Sequence, residues 1–112
     1  NTTSFNTSSD YRLKTNEALI TDGITRVKNL KPYQFEWKSD LGIKVDGFFA
    51  HEAQTIVPES VIGTKDEVDS DGKPKYQGID QAKLVPVLTA ALQEAIAEIE
   101  ILKTKVSALE GS

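Results

Sequence analysis

Cysteine and methionine are missing from this 112-residue chain, and histidine and tryptophan occur once each. Without cysteine there can be no disulfide, thiolate metal site or cysteine nucleophile, and the redox compartment leaves no mark. The single histidine, His51, has no evident partners for a Ser-His-Asp triad. Standing between an expected strand and an expected helix, it reads first as a structural or surface residue. No apolar run approaches the ~20 residues of a membrane span, and no signal-peptide pattern opens the chain. No membrane partner is therefore expected. Basic residues are the minority, 13 Lys and Arg against 17 Asp and Glu, for a net charge of −4. That balance argues against a nucleic-acid partner, which calls for a basic face. Aromatics are sparse too, at four Phe, three Tyr and one Trp. A chain of this length with so few large apolar residues builds a modest core, and contact between subunits is the usual way to add buried area.

What is present divides the chain into three. Residues 1–8 (NTTSFNTS) are almost all Ser, Thr and Asn around Phe5, and read as a linker or the end of a preceding domain. Residues 9–80 read as a small α+β head. A helix is expected over Glu17–Leu30 from the spacing of Leu19, Ile20, Ile24, Val27 and Leu30, with Thr21 or Asp22 as a cap for a second start. Pro32 closes it. Tyr33, Phe35 and Trp37 then alternate with Gln34, Glu36 and Lys38, the period of a half-buried strand, with Tyr33 and Trp37 as core anchors. Ser39–Gly42 is a turn signal and Ile43–Ala50 the returning strand of a hairpin. A short helix over His51–Ile56 follows, ending before Pro58. The polar stretch Glu59–Gln77 suits a projecting hairpin, with Val61-Ile62 on one arm and Lys75-Tyr76 on the other.

Residues 81–112 carry the clearest pattern. Val85, Leu88, Leu92, Ala95, Ile99, Leu102, Val106 and Leu109 are spaced by alternating steps of three and four. That is the a/d seam of a parallel coiled coil. Ala91 and Ile96 flank the seam at g and e and widen it, which favours three strands, a homotrimer. Glu98 with Lys103, and Lys105 with Glu110, are placed to pair between neighbouring helices. Asp80 can cap the helix, and Pro86, too deep for a first turn begun there, predicts a kink or a later start.

Few groups remain for chemistry. Asp69, Asp71 and Gly72 share part of a calcium-loop pattern, but the other ligands and the bidentate Glu are missing. A plain turn is the reading, and no metal or other cofactor is expected. Ser9 and Lys14 are a nucleophile type and a base type. A serine attacks only when a base takes its proton, and a lysine is that base only where burial or nearby cations favour its neutral form. By residue type alone, an N-terminal cap and a solvated lysine explain the pair equally well.

The runs SSDYRLKTN, NLKPYQFEWK, GFFAHEAQTIVPESV and IDQAKLVPVLTAALQEAI together resemble, in order and spacing, a known family. It is the C-terminal intramolecular chaperone of phage tailspikes, endosialidases and tail fibres, a self-cleaving module also found in myelin regulatory factor. The resemblance extends from Ser9 to about Ile96. It implies a trimeric chaperone that assists folding of the fibrous domain upstream in the same polypeptide, then cuts itself free as a single-turnover serine endopeptidase. Carried over, Ser9 and Lys14 are the catalytic dyad, Ser8–Ser9 is the scissile bond, and Asp10 and Arg12 position the loop. The implied setting is a virion precursor made in the host cytoplasm, with the chaperone fragment released after cleavage. His51 stands where the family commonly has Gln, and the polar segment before Ile79 is short. Two other functions share this architecture: a permanent trimerisation domain that never cuts, and a host-binding tip that uses the polar hairpin.

Overall fold

A computed structural model describes residues 8–111, so the linker expected at 1–8 lies outside the described residues except for Ser8. The architecture is α+β. Two small antiparallel sheets and short helices form a head, and one long helix follows it.

The aromatic alternation at Tyr33–Trp37 does form a strand, β1. It pairs with β2, Asp40–Gly47, in a hairpin whose register sets Tyr33 opposite Gly47 and Phe35 opposite Val45. The return strand begins three residues earlier than Ile43, because Lys38-Ser39 makes the turn and the register shifts at Glu36/Trp37. Glu36 Oε1 accepts the Gly42 N–H at 2.7 Å and steadies Gly42 at φ +94, a value glycine adopts readily. Trp37 stacks edge-on to Phe35, their ring centroids 5.1 Å apart, but is 60% exposed. It is therefore no core anchor within this chain. Tyr33 is half-buried against Phe49.

The helix expected over Glu17–Leu30 is five residues long, α1, Gly23–Val27. Asn16 takes a positive φ of 58, which breaks a helical start, and residues 17–22 have no regular structure. Leu19 and Ile20 thus serve no helix face. The second short helix, α2 at Ala50–Gln54, lies close to where His51–Ile56 was expected.

The polar hairpin closes differently from expectation. Strand β3, Val61–Ile62, pairs with β4, Gly78–Ile79, in place of Lys75-Tyr76. Farther out, Val68 bridges Pro74, and Asp69 Oδ1 accepts the N–H groups of Asp71 and Lys73. Those bonds make Asp69–Lys73 a side-chain-braced turn.

Asp80 Oδ1 caps a 3-10 turn at Gln81–Leu84, accepting the Ala82 N–H. The long helix α3 then runs Val85–Glu110, so Pro86 falls in its first turn, where a missing N–H costs nothing. The core is small: Val57, Leu84 and Val87 are buried, with Val27, Phe48 and Ile56 packed around them. At about 1.5–3 kcal/mol for each large side chain fully buried, such a core supports the head and little beyond it.

Helix α1 crosses α3 closely. A Cβ on Gly23 would lie 2.4 Å from the backbone nitrogen of Ala91, so only glycine fits. This packing buries Ala91. One of the two residues expected to widen the coiled-coil seam is thus engaged within the chain, while Ile96 stays exposed.

Candidate functional site

Ser9 and Lys14 meet because the five residues joining them make one tight turn. Tyr11–Leu13 form a 3-10 turn begun by Asp10, whose Oδ1 accepts the Arg12 N–H at 2.9 Å. The Leu13 N–H bonds the Asp10 carbonyl at 3.0 Å, and the Lys14 N–H bonds the Tyr11 carbonyl at 3.1 Å. An α-helix brings together side chains three or four apart, whereas this turn folds a spacing of five back on itself. Lys14 Nζ then donates to Ser9 Oγ at 2.6 Å.

Asp10 and Arg12 hold the turn from outside. Arg12 Nε reaches Asp10 Oδ1 at 2.9 Å, and its Nη2 reaches Oδ2 at 3.0 Å, a two-pronged ion pair. The guanidinium's hydrogen bonds, with the Arg12 N–H second, keep the Asp10 carboxyl below its ordinary value. Asp10 in turn raises Arg12. Asp10 and Arg12 thus brace the turn that joins Ser9 to Lys14, and both are exposed.

Burial is what the turn lacks. Ser8, Ser9, Lys14 and the apolar Tyr11 and Leu13 are all exposed, and the 3-10 turn contributes no buried residue. Among the described residues of this chain, none supplies the dry surroundings a lysine base needs.

The link from the turn to the body of the protein passes through α1, by a residue that sequence reasoning missed. Asp22 stands at the N-cap of α1 but gives its carboxylate to Arg26, at 3.1 Å from Nε. The cap comes from α3, where Glu94 accepts the Gly23 N–H at 2.9 Å and the Ile24 N–H at 3.0 Å. In the sequence Glu94 looks like any solvated charge at heptad position c. Only the Gly23 gap, which lets α1 approach, gives it this role.

On the far side of α3 the expected seam is open. Val85, Leu88, Leu92, Ile99, Leu102, Val106 and Leu109 are exposed and Ala95 is half-buried. The His51 ring is stacked on that of Phe49, their centroids 6.1 Å apart. Tyr33 donates a long 3.4 Å hydrogen bond to Glu52 Oε2, and its hydroxyl is pushed up first by burial, then by that carboxylate. Glu52 Oε1 has no hydrogen-bond partner among the described residues.

Residues 9–62 match the family described as the chaperone of endosialidase. The match bears out the resemblance carried by the motifs from SSDYRLK to VPESV. The match begins at Ser9 and ends at Ile62, so the stretch from Ile79 to Ile96, where the resemblance was also read, lies beyond it. No curated protein matches the chain.

Proposed function

We propose that the chain is a trimeric intramolecular chaperone that assists folding of a fibrous tail domain upstream in its own polypeptide, then releases itself by cutting Ser8–Ser9. The observation that carries the cleavage reading is the 2.6 Å contact between Lys14 Nζ and Ser9 Oγ. The family match over residues 9–62 supports the chaperone role, and the open apolar seam of α3 supports the trimer. Its setting is the assembly of a virion in the host cytoplasm.

The chemistry is an acyl transfer. With Lys14 in its neutral form, its Nζ takes the Ser9 hydroxyl proton along the 2.6 Å line as Oγ attacks the Ser8 carbonyl carbon. The Ser8–Ser9 amide bond breaks, and Lys14 passes the proton to the departing Ser9 nitrogen. Ser8 is then held to Ser9 Oγ as an ester. Water hydrolyses that ester, leaving a carboxylate on Ser8 and a free hydroxyl and amine on Ser9. Asp10 and Arg12 fix the turn that brings the pair together.

The test is the mass of the product made from the protein with its upstream domain attached. Splitting between Ser8 and Ser9, with the fragment starting at Ser9, is the expected outcome. An intact product that remains trimeric would instead establish a permanent trimerisation domain. The exposure of Lys14 is the observation that favours that second reading.

A further inference from the structure

The trimer and self-cleavage proposed above leave one geometric question: how an exposed turn becomes an active one. The single chain is far too open to be complete. It exposes 9456 Å², whereas a compact monomer of 12.3 kDa exposes about 6,100 Å² by the area–mass scaling of folded proteins. Among the exposed large apolar side chains are those of the a/d seam of α3 and Leu19, in the segment that leads from Lys14 toward α1.

That segment is Ala18–Ile20. It runs beside the first turns of α3, and the two enclose a groove of about 430 Å³ whose lining includes Leu19, Ile20, Val85, Pro86, Thr89 and Gln93. With Val85 and Leu88 at a and d, Thr89 takes position e. In a parallel bundle the e flank of one helix lies beside the g flank of the next. The groove borders the seam at Val85 and reaches the side turned toward a neighbouring copy at Thr89, while Pro86, Ala90 and Gln93 form its outer wall. Helix α1 covers the opposite g flank of its own α3 through Gly23 and Ala91. Leu19 is 92% exposed, although it is a large aliphatic side chain pinned between the dyad turn and the Glu94-capped start of α1. It stands only five residues after Lys14.

We propose that Leu19 packs against α3 of a second copy of this chain, and that this contact positions the Ser9–Lys14 turn for cleavage. Leu19 is a positioning residue: it touches neither the scissile bond nor the dyad. It acts by fixing residues 15–22, which hang from α1 at one end and carry Lys14 at the other. The dyad atoms are those of one chain, and their support comes from the next.

The absence of native cysteine allows a clean test of the contact itself. In the trimer, the thiol of Leu19→Cys is expected to react with a maleimide roughly tenfold or more slowly than that of Ser39→Cys at the exposed hairpin turn, because a buried thiol reacts only on local opening. Equal rates in an intact trimer overturn the proposal. The second arm measures cleavage of the protein carrying its upstream domain. Leu19→Ala is expected to remain trimeric and to cleave roughly a hundredfold more slowly, the scale of loss for misplacement by about 1 Å, while Leu19→Met cleaves like the parent. A Leu19→Ala trimer cleaving at the parent rate overturns the positioning role. A parent protein that never cleaves removes the self-cleavage reading instead, and the labelling arm still decides the contact.

Discussion

Glu94 and Gly23 are 71 residues apart, yet Glu94 Oε2 accepts the Gly23 N–H at 2.9 Å, and Oε1 takes Ile24 beside it. One carboxylate thus satisfies the first two donors of a helix too short to hold itself together. Replacing it by alanine leaves both donors in a half-buried junction. Glu94→Ala is expected to destabilise the fold by about 1.5–3 kcal/mol, the range for hydrogen bonds to a charged group, with Glu94→Gln between it and the parent. Denaturant unfolding measures the loss, and amide exchange should quicken at Gly23 and Ile24 before it does elsewhere. Unchanged exchange at both amides would refute the capping role.

Gly23 itself tests the crossing. A Cβ there meets the backbone of Ala90 and Ala91 at 2.4–2.8 Å, and backbone cannot swing aside as a side-chain tip can. Gly23→Ala should cost about 1–3 kcal/mol, the usual range for overpacking. A variant as stable as the parent means that α1 does not sit where it is described.

The dyad makes the sharpest claim. Ser9→Ala and Lys14→Ala should each abolish cleavage at Ser8–Ser9 and leave the trimer unchanged. Lys14→Arg should fail as well, by roughly a hundredfold or more, since guanidinium does not give up its proton to become a base. Mass spectrometry of fragment release from the protein carrying its upstream domain reads all three. Parent-rate cleavage by Lys14→Arg removes Lys14 from the mechanism.

Acid affects the dyad turn through Asp10. Its folded value is depressed below 3.8, chiefly by the Arg12 side chain. A depressed acid contributes stability that is complete above its unfolded value and is lost as pH falls through the lower folded one. The turn should therefore hold across the neutral range and loosen only in strong acid. In Arg12→Ala the Asp10 carboxyl should titrate at higher pH than in the parent, followed by its NMR shift. An identical midpoint in the two proteins contradicts the ion pair.

The seam is tested by charge. Ile99→Asp with Leu102→Asp would bury unpaired carboxylates between helices, so the protein should sediment as a monomer or unfold. A trimer that persists excludes the coiled coil. The polar loop provides the opposite control. Between Gly63 and Tyr76 no residue is buried, so deleting Lys65–Lys73 should leave head and trimer intact while lowering the yield of folded upstream domain. Equal yields would take chaperone contact away from this loop.

Legibility followed the range of the interactions. Strand β1 was readable because strict alternation over Tyr33–Trp37 needs no partner to be recognised, and α3 because its pattern repeats over many turns. The hairpin's return strand was misplaced by three residues, since a register shift at Glu36/Trp37 leaves no local trace. The helix expected from Glu17 failed for a similar reason: Leu19 and Ile20 have helical spacing, but Asn16 breaks the start and the true cap is supplied from residue 94. Trp37 shows the same limit on the packing side, for its apolarity suggested a core that this chain does not build over it. The Ser9–Lys14 pair was legible through the family motif alone, because no rule of helix or strand periodicity joins residues five apart.

The 71-residue separation of Gly23 and Glu94 has a meaning in time. A ribosome adding about 5–20 residues per second needs roughly 4–14 s to pass from one to the other. Throughout that interval the nascent chain already carries both Ser9 and Lys14, but the carboxylate that anchors their end of the chain has not been made. On the proposed reading, the turn that would cut ahead of Ser9 thus lacks its anchor until translation has passed residue 94.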